Sequence, residues 1–168
     1  MKTVSLIIPA YNEEESLPLL YDKLCEFTEN HTQYDWEILF VNDGSSDKSA
    51  CIIDTFIAQD NRVAVVELSR NFGKEAAMLA GFDHVTGDCA IILDADLQHP
   101  LTAIPDMLRY WEEGYEDVYA KRNSRGKESI LRKKLSLIYY NLLQKSTRIN
   151  VLQNVGDFRL LDRRCINA

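Results

Sequence analysis

The sequence lacks the patterns that would point to several common chemistries. Its four cysteines, Cys25, Cys51, Cys89 and Cys165, lie far apart with no C-x-x-C pair, so neither a zinc site nor a disulfide framework is expected and a reducing compartment fits. No apolar run approaches the roughly 20 residues of a spanning helix. No charged-then-apolar leader precedes the strand-like run Thr3 to Pro9, so a secreted or membrane-crossing chain is not expected. Phe72-Gly73-Lys74-Glu75 is not a P-loop, because Leu68 stands where the first glycine is required, and G-x-G-x-x-G is absent. ATP hydrolysis and dinucleotide-dependent redox chemistry lose their main support. The histidines, His31, His84 and His99, are scattered, and no Ser or Cys sits in a G-x-S-x-G setting, so triad hydrolysis has no foothold.

What is present fits one globular domain: 168 residues, 46% hydrophobic and 27% charged. The net charge of −7 conceals a division. Residues 1–120 hold 7 Lys and Arg against 23 Asp and Glu, whereas residues 121–168 hold 12 against 3, giving −16 and +9. The basic part is suited to an anionic partner such as phosphate, lipid head groups or nucleic acid, with intramolecular charge balance as the plainer alternative.

Four apolar, β-branched runs, Val4–Ile8, Ile38–Val41, Val63–Leu68 and Ala90–Leu93, alternate with stretches of helical period. Leu17, Leu20, Tyr21, Leu24 and Phe27 form one such set, and Cys51, Ile52, Thr55 and Phe56 another. A helix over 102–113, ended by Gly114, precedes a fifth strand at Asp117–Ala120. Within 121–148, Leu131, Leu135, Ile138 and Leu142 make an apolar stripe beside Arg132, Lys133 and Lys145, the pattern of a basic amphipathic helix. Ligands of open α/β sheets bind beyond the carboxyl ends of strands, so the polar endings of the four runs belong together.

Asp94-Ala95-Asp96, with Gln98 and His99 just beyond, places two carboxylates at the mouth of an apolar strand. Hard divalent ions such as Mg²⁺ or Mn²⁺ take one or two carboxylates plus substrate phosphates. One aspartate capping a helix is the bland alternative. A dehalogenase-type phosphatase is a poorer one, since that motif belongs on a first strand and Gln98 replaces its Thr or Val. In Asn42-Asp43-Gly44-Ser45-Ser46-Asp47, Ser46 or Asp47 can cap the next helix, leaving Asp43 to accept from a base or ribose. In the first loop Asn12 can cap with Glu15, or Tyr11 and Glu13 can stack on and bond a base. Arg70 and Lys74 are cations for phosphate, or merely solvated or paired with Glu75. Asp157, in Gly156-Asp157-Phe158-Arg159, is a general base, an acceptor-orienting group or the partner of Arg159.

Taken together, PAYNEE (9–14), NDGSSD (42–47), SRNFGKEAA (69–77), DADLQHP (94–100), YAKR (119–122) and GDFRLLDR (156–163) resemble family-2 glycosyltransferases. More narrowly they resemble the polyprenyl-phosphate (bactoprenol) glycosyltransferases and dolichol-phosphate mannosyltransferases. The resemblance implies an α/β chain of GT-A fold, a mostly parallel Rossmann-like sheet flanked by helices. Residues 1–168 would form one catalytic domain, with 1–120 the donor half and 121–168 the acceptor and membrane-facing part. It implies inverting transfer of a sugar from a nucleotide donor, UDP-glucose or similar, to a polyprenyl phosphate at the cytoplasmic membrane face, with Mg²⁺ or Mn²⁺ as cofactor.

By position, Pro9, Tyr11, Glu13 and Asp43 would hold the nucleoside, Lys74 and Asp94 the rest of the donor, and Asp94, Asp96 and Gln98 the metal. Asp96 and Asp157 would be the catalytic residues and Arg122 and Arg125 would meet the acceptor phosphate, while 128–145 would rest on the membrane. A phosphate monoester, with a second pKa of about 6, is already largely dianionic at neutral pH, so Asp157 would orient rather than deprotonate. Such relatives continue into further helices and transmembrane segments, so the intact protein is expected to be longer. No nucleic-acid partner is expected, and a homo-oligomer is left open. A soluble transferase acting on a saccharide hydroxyl and a non-catalytic nucleotide-sugar binder are the rival readings.

Overall fold

The computed structural model describes residues 1–121 and 155–168, with backbone alone at 121 and 155–157. Among these residues a six-stranded sheet is formed by β1 (Lys2–Ala10), β2 (Tyr34–Asn42), β3 (Val63–Glu67), β4 (Cys89–Ile92), β5 (Asp117–Lys121) and β6 (Val155–Asp162), in the order β3-β2-β1-β4-β6-β5. The first four strands are parallel, and β6 runs antiparallel to both β4 and β5. The four strands expected from the apolar runs and the fifth expected at Asp117–Ala120 are present. The sixth was not anticipated, because Val-Gly-Asp-Phe-Arg-Leu-Leu-Asp carries a glycine and two aspartates that hide its strand character. It comes from the basic part of the chain yet sits inside the sheet, between β4 and β5.

Helices α1 (Leu17–Glu29), α2 (Ser49–Gln59) and α4 (Ile104–Glu112) cover one face, where Leu17, Leu20, Leu24, Ile53, Phe56 and Leu108 pack on Val4, Leu6, Ile8, Ile38 and Phe40. Each fully buried aliphatic side chain contributes about 2 kcal/mol to this layer. The opposite face carries α3 (Lys74–His84), where Ala77 packs on Ile7, Leu39 and Val41. A periodic apolar stripe does not mark α3. It docks through small residues instead, and a Cβ at Gly81 would run into the Ile7 side chain. This close seating carries the first turn of α3 to the sheet edge where β1 and β4 end.

At the far end, Trp111 Nε1 donates to Asp162 Oδ2 at 2.7 Å, tying α4 to the end of β6. Burial pushes the Asp162 carboxyl up, but hydrogen bonds from Arg164 N, Trp111 Nε1 and the Arg164 guanidinium outweigh it and hold the group at about 2. Among the described residues no helix is long and apolar enough to cross a membrane.

Candidate active site

The polar strand endings converge because β1 lies between β2 and β4, and the chain's first crossovers leave β1 in one direction while β4 joins it from the other. Such a reversal of strand order opens a crevice at the carboxyl ends. Here the crevice is a cleft of about 320 Å³. Pro9 enters it from the end of β1 and Tyr11 and Glu13 from the loop that follows, Asp43 from the loop after β2, Asn71 and Gly73 from the loop after β3, Lys74 from the first turn of α3, and Asp94 and Asp96 from the loop after β4. Every donor-side residue expected from the sequence therefore faces one space. Asn71 is an addition that the sequence did not single out. Gln98 is exposed and is not part of the cleft wall.

The first two loops are stitched to each other. Asn12, at a φ of +55°, accepts through Oδ1 from Ser46 N at 2.8 Å, while its own N–H donates to Ser45 Oγ at 3.0 Å. Glu13 N donates to Ser49 Oγ at 2.8 Å, Glu14 N to Asp47 Oδ2 at 3.0 Å, and Lys48 N to Glu14 Oε2 at 3.0 Å. Asn12 thus does not cap α1, whose N-cap is Ser16. Asp47 does serve the start of α2, accepting from Ser49 N at 2.9 Å. Its burial favours the neutral acid, but hydrogen bonds from Ser49 and Glu14 prevail and hold the carboxyl below the usual range. The exposed ring of Tyr11 stands over this rigid pair of loops.

Asp43 is 3% exposed, and its two oxygens are both engaged: Oδ1 accepts from Phe72 N at 2.8 Å and Oδ2 from Gly73 N at 2.9 Å. The buried carboxylate thus clamps the loop leading into α3. Gly44 permits this approach, since it has a φ of +64° and any Cβ there would strike the Arg70 backbone. Arg70 itself lies over the Phe72 ring, 4.7 Å from its centroid, and is not part of the cleft wall.

At the other end of the cleft, Lys74 Nζ lies 2.6 Å from Asp94 Oδ1, a partner different from the Glu75 considered on sequence. Asp94 N donates to His99 Nδ1 at 3.1 Å, and His99 Nε2 lies 3.5 Å from Asp94 Oδ2. The backbone donor makes Nδ1 an acceptor, which assigns the neutral ring's proton to Nε2, facing the carboxylate. His99 also stacks on Phe158, with centroids 4.7 Å apart and planes 12° from parallel. Between these anchors Leu97 adopts a φ of +62°, unfavourable for a non-glycine residue, and exposed Asp96 accepts from Gln98 N at 3.0 Å. His99 was passed over as one of three scattered histidines, although its five-residue return to Asp94 was a usable signal.

Among the described residues no three His, Cys, Asp or Glu side chains form a metal cage. The donor set is two carboxylates opening on a shared cleft, which fits a hard divalent ion that completes its shell with water and a ligand's phosphates. Arg122, Arg125 and the expected helix 128–145 lie outside the described residues, as does the side chain of Asp157, whose backbone belongs to β6.

Comparison with known proteins bears on this arrangement. Residues 5–167 match the family model described as Glycosyl transferase family 2. The chain is 46% identical over 166 residues to CsbB of Bacillus subtilis (strain 168), covering 98% of this chain and 50% of that protein. It is 41% identical over 163 residues to the bactoprenol glucosyl transferase of Shigella phage SfX, covering 97% and 53%. With the prophage bactoprenol glucosyl transferase homolog of Escherichia coli (strain K12) it shares 42% over 160 residues, covering 95% and 52%. The chain therefore spans about half the length of the curated relatives it matches.

Among solved structures, glucosyl-3-phosphoglycerate synthase from Mycobacterium tuberculosis, in complex with Mn²⁺, UDP-glucose and phosphoglyceric acid, superposes with a TM-score of 0.67 at 22% identity over 97% of this chain and 57% of that one. TarS 1-349 of S. aureus gives 0.64 at 19% over 99% and 48%. At such identities the likeness is one of fold, and the fold is the GT-A arrangement expected from the sequence.

Proposed function

The chain belongs to glycosyl transferase family 2, and from that membership we propose that it is the donor-binding catalytic part of an inverting, metal-dependent transferase. It passes a sugar from UDP-glucose, or a similar nucleotide sugar, to a polyprenyl phosphate at the cytoplasmic face of the membrane. The observation that carries the reading is the meeting of four strand ends in one cleft whose two ends differ in chemistry. Tyr11, Glu13 and Asp43 at one end suit a nucleoside; Lys74, Asp94 and Asp96 at the other suit a diphosphate and its ion. Relatives named bactoprenol glucosyl transferase, 41% and 42% identical, support the acceptor class.

In this reading Pro9 and Tyr11 seat the base, and Glu13 and the rim of Asp43 bond the nucleoside. Lys74 faces the diphosphate. Asp94 and Asp96 would hold Mg²⁺ or Mn²⁺, which would supply positive charge against the negative charge growing on the leaving nucleoside diphosphate, whereas Gln98, outside the cleft wall, is not needed as a ligand. The acceptor phosphate, guided by Arg122 and Arg125 and oriented by Asp157, attacks the anomeric carbon from the face opposite the leaving group, so configuration inverts. The phosphate is largely dianionic already, and Asp157 has no proton to remove. Residues 128–145 rest on the anionic leaflet and bring the cleft to the lipid.

Asp96→Ala is the direct test. Transfer from UDP-glucose to a polyprenyl phosphate should fall by about 100-fold or more, the scale of a lost contact to developing charge. The melting temperature should stay unchanged, because Asp96 is exposed. Full activity in this variant would sink the reading. Transfer to a saccharide hydroxyl with no response to lipid phosphate would replace the acceptor.

A further inference from the structure

The ion pair between Lys74 and Asp94 places a monovalent cation where the proposed function puts a divalent one. Nζ sits 2.6 Å from Asp94 Oδ1, and the two side chains keep 37% and 25% of their surface exposed. An ammonium at that distance crowds the oxygen and would repel any second cation approaching it. Yet exposed pairs of this kind contribute little net stability, so the contact is readily exchanged. Lys74 is also the first residue of α3, seated at the rim of the cleft on a flexible four-carbon stem with three donors. Its ammonium can swing from a carboxylate to a phosphate without moving the backbone, which Asp43 clamps at Phe72 and Gly73.

We propose that Lys74 acts as a place-holder for the divalent ion, neutralising Asp94 until a nucleoside diphosphate draws the ammonium away, so that ion and nucleotide enter the cleft together. The inference rests on the donor-binding reading of the cleft but not on the acceptor or on turnover. It explains why a site with only two converging carboxylates, one of them already paired, need not bind a free metal ion. Each ligand removes an obstacle to the other: the diphosphate takes the lysine off Asp94, and the ion takes Asp94 off the lysine. Linkage makes the gain reciprocal, so UDP raises affinity for the ion by the same factor as the ion raises affinity for UDP.

The proposal makes two variants move in directions that damage alone would not produce. Lys74→Met should bind Mn²⁺ in the absence of nucleotide at least about fivefold more tightly than the wild type. It should also bind UDP in EDTA more weakly, and its UDP-driven gain in Mn²⁺ affinity should shrink. Asp94→Asn frees the ammonium from this partner and removes a negative charge, so UDP in EDTA should bind at least about threefold more tightly. Mn²⁺ binding is read by electron paramagnetic resonance of the free ion and UDP binding by calorimetry, with circular dichroism confirming the fold and Lys74→Gln as a second neutral variant.

Unchanged or weaker Mn²⁺ binding in both lysine variants, or weaker UDP binding to Asp94→Asn, overturns the place-holder while leaving the transferase reading intact. Failure of the wild type to bind Mn²⁺ even with UDP overturns both.

Discussion

The two ends of the cleft are built differently. At the end proposed for the nucleoside, the loops after β1 and β2 share hydrogen bonds between Asn12 and Ser46, Glu13 and Ser49, and Glu14 and Asp47, while buried Asp43 fixes the loop after β3. At the end proposed for the diphosphate, Asp94 is held by a half-exposed lysine and a histidine, Leu97 is in a left-handed conformation, and Asp96 faces solvent. The first end is held by many internal hydrogen bonds, which suits the recognition of a flat base that we propose for it. The second is held by exposed contacts, which suits the exchange with a charged diphosphate that we propose for it.

Asp43→Ala should break the contrast most severely. It strands the N–H groups of Phe72 and Gly73 and should lower unfolding free energy by about 2–4 kcal/mol in urea titration. Gly44→Ala tests the same contact from the backbone side and should cost about 2 kcal/mol, because φ is positive and the new methyl meets Arg70.

At the exchangeable end, His99→Leu should cost only about 1 kcal/mol by removing the acceptor for Asp94 N, and His99→Asn, which restores an oxygen near the position of Nδ1, should recover part of it.

The smallest effect is a pH dependence. The Asp47 carboxyl is held below its ordinary value, so its contribution is present in full above about pH 4 and is lost as pH falls through the lower folded value. Asp47→Asn should flatten acid sensitivity between pH 5 and 3 by about 0.5 kcal/mol, measured as urea midpoints. Unchanged acid sensitivity in Asp47→Asn would remove that carboxylate from the contacts that hold the first end.

Much of this was legible in the chain. The β-branched runs mark β1 to β4, the helix stop at Gly114 points to β5, and the rule that ligands gather at strand ends groups Tyr11, Asp43, Lys74 and Asp94. β6 escaped because its strand character comes from pairing with β4 and β5 on both sides, not from its own alternation. α3 escaped because it packs by small size, with Ala77 and Gly81 against the sheet. The partner of Asp43 was hidden by distance, its carboxylate reaching backbone groups 29 and 30 residues away.

The sequence by itself determined which elements form and which chemical groups stand at their ends, because hydrophobic period and turn chemistry are set by near neighbours along the chain. Tertiary structure alone decided how those groups are spent. Lys74 opens α3 and Asp94 follows β4, and only the placement of α3 on the face of β1 and β2 brings the ammonium to 2.6 Å from the carboxylate. Charges at strand ends find their partners through strand order and helix seating, which are properties of the packed sheet.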